Sequence, residues 1–239
     1  MEVIANVNAE VVVDASVGDD SAATELRDAV VRTVGAGSGA DSIVSDLLDR
    51  HAEPHRRYHT AEHVMWVLRF IARLSSDCVE ARGMDRAAVD AAALFHDAVY
   101  DPRSDTNEAD SATLASAHLR RSGWDDERIA TVERLIVATA GHQPTSGHQV
   151  TDAAEAVLLD ADLAILGATP DDYATYVGDV RAEYSFVGDE RWRAGRADVL
   201  CSFLDRERIF ATSTMLIERE SRARANLAAE LAALRSPSV

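Results

Sequence analysis

The sequence predicts an all-α protein, a single domain of about ten helices, and three observations carry that expectation. From Ser21 onward nearly every segment spaces its apolar residues three and four positions apart, as one face of an α-helix requires. Gly, Pro and Asp clusters interrupt the spacing at short intervals, and no stretch alternates apolar and polar residues as a half-buried strand does. The chain has 239 residues, 47% of them apolar, which is enough for one sizeable core, and no repeat or linker marks a second domain.

Residues 1–20, with Val11, Val12 and Val13 followed by Gly18, Asp19 and Asp20, read as a flexible extension, leaving 21–235 for the domain. The first helix is expected over 22–34, ended by the Gly35 to Gly39 segment, and the second over 41–50, ended at Glu53 and Pro54. A third over 59–75 carries His59 and His63 on one face and continues through Val67, Phe70, Ile71 and Leu74. Gly83 precedes an Ala-rich helix over 85–99, Asp101 and Pro102 end it, and 107–121 runs to Gly123. Asp125 offers an acceptor to the first free N–H groups of 125–140. After the Gly141 to Gly147 segment come 151–166 and then 170–185, which Pro170 opens with its fixed φ. Gly188 separates these from 190–210 and 213–234.

Forty-one acidic against 24 basic residues give a net charge of −17, which opposes the phosphates of a long nucleic acid and an anionic membrane surface and favours small molecules or cations as partners. The two cysteines, Cys78 and Cys201, have no Cys-x-x-Cys spacing, so reduced thiols are expected. The start Met1-Glu2-Val3 lacks the pattern of a signal peptide, and no stretch approaches the roughly 18 apolar residues of a membrane span. A cytoplasmic protein is the expectation.

Chemistry is foreshadowed by polar residues on apolar faces. In the segment 157–166, Leu158, Leu159, Asp162, Ile165 and Leu166 share a face, while Asp160 points away from it. A carboxylate in that position needs a partner or a cation. His63, His96 and Asp97 sit on comparable stripes, and imidazole with carboxylate suits zinc, manganese or iron. His59 and His63, four residues apart, present two rings to one side, although capping explains such a pair equally well. Trp66, Trp124 and Trp192 read as packing residues, and Arg181, Glu183 and Tyr184 as candidates for a pocket.

The order His63, then His96-Asp97, then Asp162, each on a helix, resembles the HD-domain superfamily of metal-dependent phosphohydrolases. Within it, the chain is similar to a group of HD phosphohydrolases of undefined substrate. That similarity rests on Glu53 to His59 with His63, Phe95 to Asp101, Asn107-Glu108 with Ser111, Leu135 to Thr139 with His142, Leu159 to Leu163, Arg181 to Tyr184, Gly195-Arg196 and Arg224 to Leu227, over roughly residues 40–230.

The resemblance implies an HD-type helical bundle in which His63, His96, Asp97 and Asp162 bind a divalent ion (Zn, Mn, Mg or Fe) and leave positions open for water and a small phosphorylated substrate. The Tyr58-His59 and His63 arrangement is also similar to that of cyclic-nucleotide phosphodiesterases, which implies His59 as general acid beside Asp97. Arg56 is the candidate phosphate clamp, against a surface salt bridge, and Glu108, Ser111 and His142 are candidates to support or touch substrate, against capping roles. Relatives that hydrolyse guanosine alarmones have a Glu where this chain has Tyr100. Relatives with a dinuclear iron centre, which activate oxygen, would need His118 and His142 as further ligands. A metal-bound module without catalysis is the third reading.

Overall fold

Helices form where the apolar repeat runs, and several stop where a distant side chain takes the backbone groups that would have continued them. The computed structural model describes residues 19–78, 81–141 and 152–236, and among these there is no strand. Eleven α-helices are present in the described residues: α1 (Asp19–Val34), α2 (Ser38–His51), α3 (Ala61–Asp77), α4 (Arg86–Phe95), α5 (Asn107–Arg121), α6 (Asp126–Thr139), α7 (Ala153–Asp162), α8 (Pro170–Glu183), α9 (Asp189–Leu204), α10 (Ser213–Glu218) and α11 (Glu220–Arg235). A 3-10 turn, Leu163–Gly167, extends α7. The expected all-α bundle is therefore observed. Asp19 and Asp20, assigned from sequence to the extension, are the first residues of α1, and residues 1–18 lie outside the described ones.

The helix starts follow ordinary capping chemistry. Asp85, Asp125, Asp152, Thr169 and Thr212 each accept a backbone N–H in the first turn of the helix that follows, satisfying donors that have no intrahelical partner. Helix α3 lies at the centre, against α1, α4 and α7, while α4 and α5 pack on α6 and α9 packs on α11. Its stripe of Val64, Val67, Ile71 and Leu74 is fully buried, together with Leu26, Ile43, Leu47, Leu94, Phe95, Leu135, Ile136 and Leu158 from its neighbours. Each such side chain contributes about 2 kcal/mol of transfer free energy relative to water.

Four of the boundaries that differ from the expected ones have a clear physical reason. The third helix begins at Ala61 rather than 59, because one buried oxygen of Glu183 takes the N–H groups of Arg57, Tyr58 and His59 and holds them outside the helix. The fourth stops at Phe95 rather than 99, because Arg56 donates to the carbonyls of Asp97 and Ala98, and Ser111 Oγ accepts the Val99 N–H. Asp97 thus lies in a turn, one residue past the end cap His96. The helix expected to reach 210 ends at Leu204, where Arg224 takes the carbonyls of Leu204, Arg206 and Glu207 while Glu220 takes the N–H groups of Ile209 and Phe210. The last expected helix divides at Arg219, whose backbone (φ −125°) leaves the helical region. Gly167 packs directly on that backbone: a Cβ there would stand 2.9 Å from the Arg219 carbonyl oxygen, so a side chain is excluded.

No helix among the described residues is long and apolar enough to cross a membrane.

Candidate metal centre

Three helices that pack on one another, α3, α4 and α7, bring His63, the end cap His96 and Asp162 together, and the turn after α4 adds Asp97. The Nε2 atoms of His63 and His96 lie 3.1 Å apart. Asp162 Oδ1 is 3.3 Å from the first and 3.7 Å from the second, and Asp97 Oδ2 is 3.3 and 3.0 Å from the same two atoms. His63, His96 and Asp162 are all buried, with ligand atoms mutually within 4.8 Å. Asp97 keeps the most exposure of the four, 19% of its side chain, and so opens the group toward solvent.

These spacings fit a cation. Ligand bonds of about 2.1 Å set neighbouring donor atoms roughly 3.0 Å apart in an octahedron and roughly 3.4 Å apart in a tetrahedron, and the observed separations bracket both. The donor set, two imidazoles and two carboxylates, suits zinc, manganese or iron. His96 Nδ1 donates to the Ala93 carbonyl at 2.9 Å, which turns Nε2 inward as a ligating histidine requires. One feature departs from this pattern: His63 Nδ1 is buried and has no partner among the described residues.

Electrostatics point the same way. Burial opposes charge on His63, yet hydrogen bonds to Asp162 and Asp97 outweigh it and raise the imidazole above its ordinary value. His96 is raised further, its burial overcome by Asp97 and Asp162. Burial would raise Asp97, but His96 and His59 hold its carboxyl well below the usual range. At these distances the Coulomb attraction of each ion pair is about 5 kcal/mol at an effective dielectric of 20 and is offset in part by desolvation, so the two carboxylates favour positive charge, protons or a cation, between the rings.

No family model, curated protein or solved structure matches this chain.

Beside the cluster stands His59, whose ring lies 5.8 Å from that of His63 and 4.2 Å from that of Tyr100. It precedes α3 rather than opening it, and Glu183 holds it there. One oxygen of Glu183 accepts the three backbone N–H groups noted above, and the other accepts His59 Nδ1 at 2.7 Å and the Tyr100 hydroxyl at 2.9 Å. Burial would raise this carboxyl, but the hydrogen bond and charge of His59 dominate, with the backbone donors, and lower it to about 2. Tyr58 completes the wall, 4.8 Å from the His63 ring, and burial pushes its phenol well above the ordinary value.

The remaining candidates divide. Arg56 is buried: Nε donates to Glu53, Nη1 to the carbonyls of His59 and Asp97, and Nη2 to that of Ala98. Its guanidinium fixes the two loops that carry His59 and Asp97, a positioning role in place of the phosphate clamp expected from sequence. Ser111 likewise pins Val99. Glu108 is half-buried in the first turn of α5, and its charge reaches Tyr184. His118 is not at the cluster: Nε2 meets Asp46 Oδ2 at 2.9 Å and Nδ1 accepts from Arg121. His142 lies outside the described residues. Asp160, expected to point away from the Asp162 face either into solvent or as a support of the site, is 1% exposed and accepts the N–H groups of Ala211 and Thr212 and the Thr212 hydroxyl.

Glu183 is the residue that sequence reasoning left least defined. It lies 124 positions from His59, and no spacing rule links the two; the signal was an acidic residue beside Arg181 and Tyr184, which marked a pocket but not a partner.

Proposed function

We propose that this protein is a divalent-cation-dependent phosphohydrolase acting on a small phosphomonoester or phosphodiester, a nucleotide among the candidates. The observation that carries the reading is the convergence of His63, His96, Asp97 and Asp162 beside a histidine held by a buried carboxylate. The resemblance to the HD superfamily supports it through the same residues.

In this reading the four groups would hold the cation, which would supply a Lewis acid for the phosphoryl oxygens and lower the pKa of a water. Glu183 fixes the His59 ring through Nδ1 and leaves Nε2 as the atom that hands a proton to the departing oxygen as its P–O bond breaks and a water oxygen bonds to phosphorus. Tyr100 shares the Glu183 oxygen and lies along the His59 ring, restricting its rotation. Arg56 holds the carbonyls of His59 and Asp97 in one grip, keeping acid and ligand in fixed relation. The surrounding acidic surface disfavours a long nucleic acid as substrate.

The dinuclear-iron reading loses support because both ring nitrogens of His118 are engaged by Asp46 and Arg121. The deciding experiment screens phosphorylated metabolites with zinc, manganese, magnesium and iron, using His96→Ala and Asp97→Ala as controls. Phosphate release that needs the cation and vanishes in both variants supports the proposal. A bound cation without turnover of any substrate would overturn it in favour of a non-catalytic module.

A further inference from the structure

A cavity of about 220 Å³ opens between α3 and α8, and its lining differs in kind from that of the cluster. Tyr58, Trp66 and Tyr176 bring three aromatic rings to it, with Tyr58 and Tyr176 edge to face at 4.7 Å. Four carboxylates join them: Glu62 on α3, Asp172 and Asp179 on α8, and Glu25 on α1. Two guanidinium groups stand against these four, so the carboxylates of the walls outnumber them. Arg69 pairs with Glu25 at 2.5 Å, and Arg57 Nη1 donates to the carbonyls of Pro54 and Arg56.

We propose that this cavity binds an organic ammonium group, seated on the aromatic faces and between the carboxylates of its walls. The chemistry follows from what each class of guest would meet. A phosphate or carboxylate would face a surplus of negative charge. A neutral apolar guest would use the rings but leave Glu62, Asp172 and Asp179 without benefit. An ammonium uses both, since aromatic faces attract cations and lose less on desolvation with alkylated ammonium than with a strongly hydrated ion. Burial beside Glu183 pushes the Asp179 carboxyl up against the pull of Arg57, and a cation in the cavity relieves that cost. An ammonium would bind this cavity whether or not the neighbouring cluster hydrolyses phosphoesters. Tyr58 and His63 belong to both places, so the guest lies next to the candidate metal centre.

The test is a calorimetric titration of the chelator-treated, full-length protein with choline and with its neutral isostere 3,3-dimethylbutan-1-ol. Choline is expected to bind at least about tenfold more tightly. Asp179→Asn, on a partly exposed position of α8, is expected to weaken choline roughly threefold to tenfold while leaving the alcohol unchanged. Trp66→Phe keeps the packing against Phe70 and is expected to weaken choline by roughly threefold. Equal affinity for choline and the alcohol, or an Asp179→Asn protein with unaltered melting and unaltered choline affinity, overturns the proposal. Because the protein is cation-free throughout, failure of the phosphohydrolase reading leaves this result standing.

Discussion

The last turn of α7 carries two buried aspartates on opposite sides, and they have different fates. Asp160 meets donors that belong to one short segment, the N–H groups of Ala211 and Thr212 and the Thr212 hydroxyl, and these hold the start of α10 against α7. Asp162 meets two imidazoles from two other elements, which Asp97 also approaches. A buried acid whose acceptors are filled by nearby backbone has been used to build the fold. A buried acid sharing two ring nitrogens with a second acid is arranged as cation ligands are, and that arrangement makes Asp162 the candidate ligand of the two.

Removing each aspartate in turn separates the two roles by the widest margin. Asp162→Ala is expected to abolish stoichiometric cation binding and lower phosphate release by at least about 10³-fold, while Asp160→Ala keeps the cation. Elemental analysis and turnover on the same preparations decide it; a cation retained at full occupancy in Asp162→Ala would remove Asp162 from the site. Glu183→Gln comes next. It cannot accept from His59 Nδ1 and the three backbone groups in the same way, so turnover is expected to fall roughly 10- to 100-fold with cation content preserved. Its folded carboxyl, at about 2, lies below the ordinary 4.5. The stability it contributes is therefore present above pH 4.5 and lost as pH falls toward 2, about 2 kcal/mol after allowing for solvent screening. Urea unfolding of both proteins at pH 7 and pH 3 is expected to show the gap narrowing on acidification.

Asp160 has the opposite sign. Burial raises its carboxyl to about 6 against the hydrogen bonds from Thr212 and Ala211, so the folded state favours its proton. Its ionisation therefore costs stability, a cost absent below about pH 4 and complete above about pH 6. Asp160→Ala still leaves three donors without acceptors and is expected to destabilise by about 2 kcal/mol. That deficit is expected to shrink as pH rises from 4 to 6, measured by denaturant midpoints; a deficit that grows over that range would contradict the assignment.

Much of this division was legible in the chain. Helical geometry alone separates Asp162 from Asp160, because two residues on a helix turn the second side chain through about 200°. The apolar stripe of α3 likewise placed His63 facing the core. What escaped were contacts between positions distant in sequence. Arg56 could be read as a phosphate clamp or a surface salt bridge, and Glu53, three residues before it, does take Nε; the carbonyls of Asp97 and Ala98, some 40 residues on, which take the guanidinium out of reach of phosphate, have no local signature. The same contacts end α4 early and put Asp97 in a turn, where an Ala-rich repeat had suggested another helical turn. Asp160 pointed away from the site as expected, but the segment that covers it lies some 50 residues downstream, beyond the reach of any local pattern.

The same division separates two histidines, His96 and His118. Both are buried and both meet aspartates, but His118 has one partner at each ring nitrogen, Asp46 and Arg121, and packs on Phe95 at 5.7 Å. Its contacts are complete, as those of Asp160 are, whereas His96 Nε2 faces another nitrogen and two acids. His118→Gln retains a donor for Asp46, so it is expected to cost about 1 kcal/mol of stability and to leave both cation content and turnover within about twofold of the parent. Metal analysis of that variant is the discriminating measurement. Loss of one of two bound ions would show that His118 turns from Asp46 to serve a second metal, and the rule that saturated histidines build while unsaturated ones bind would fail in the molecule that suggested it.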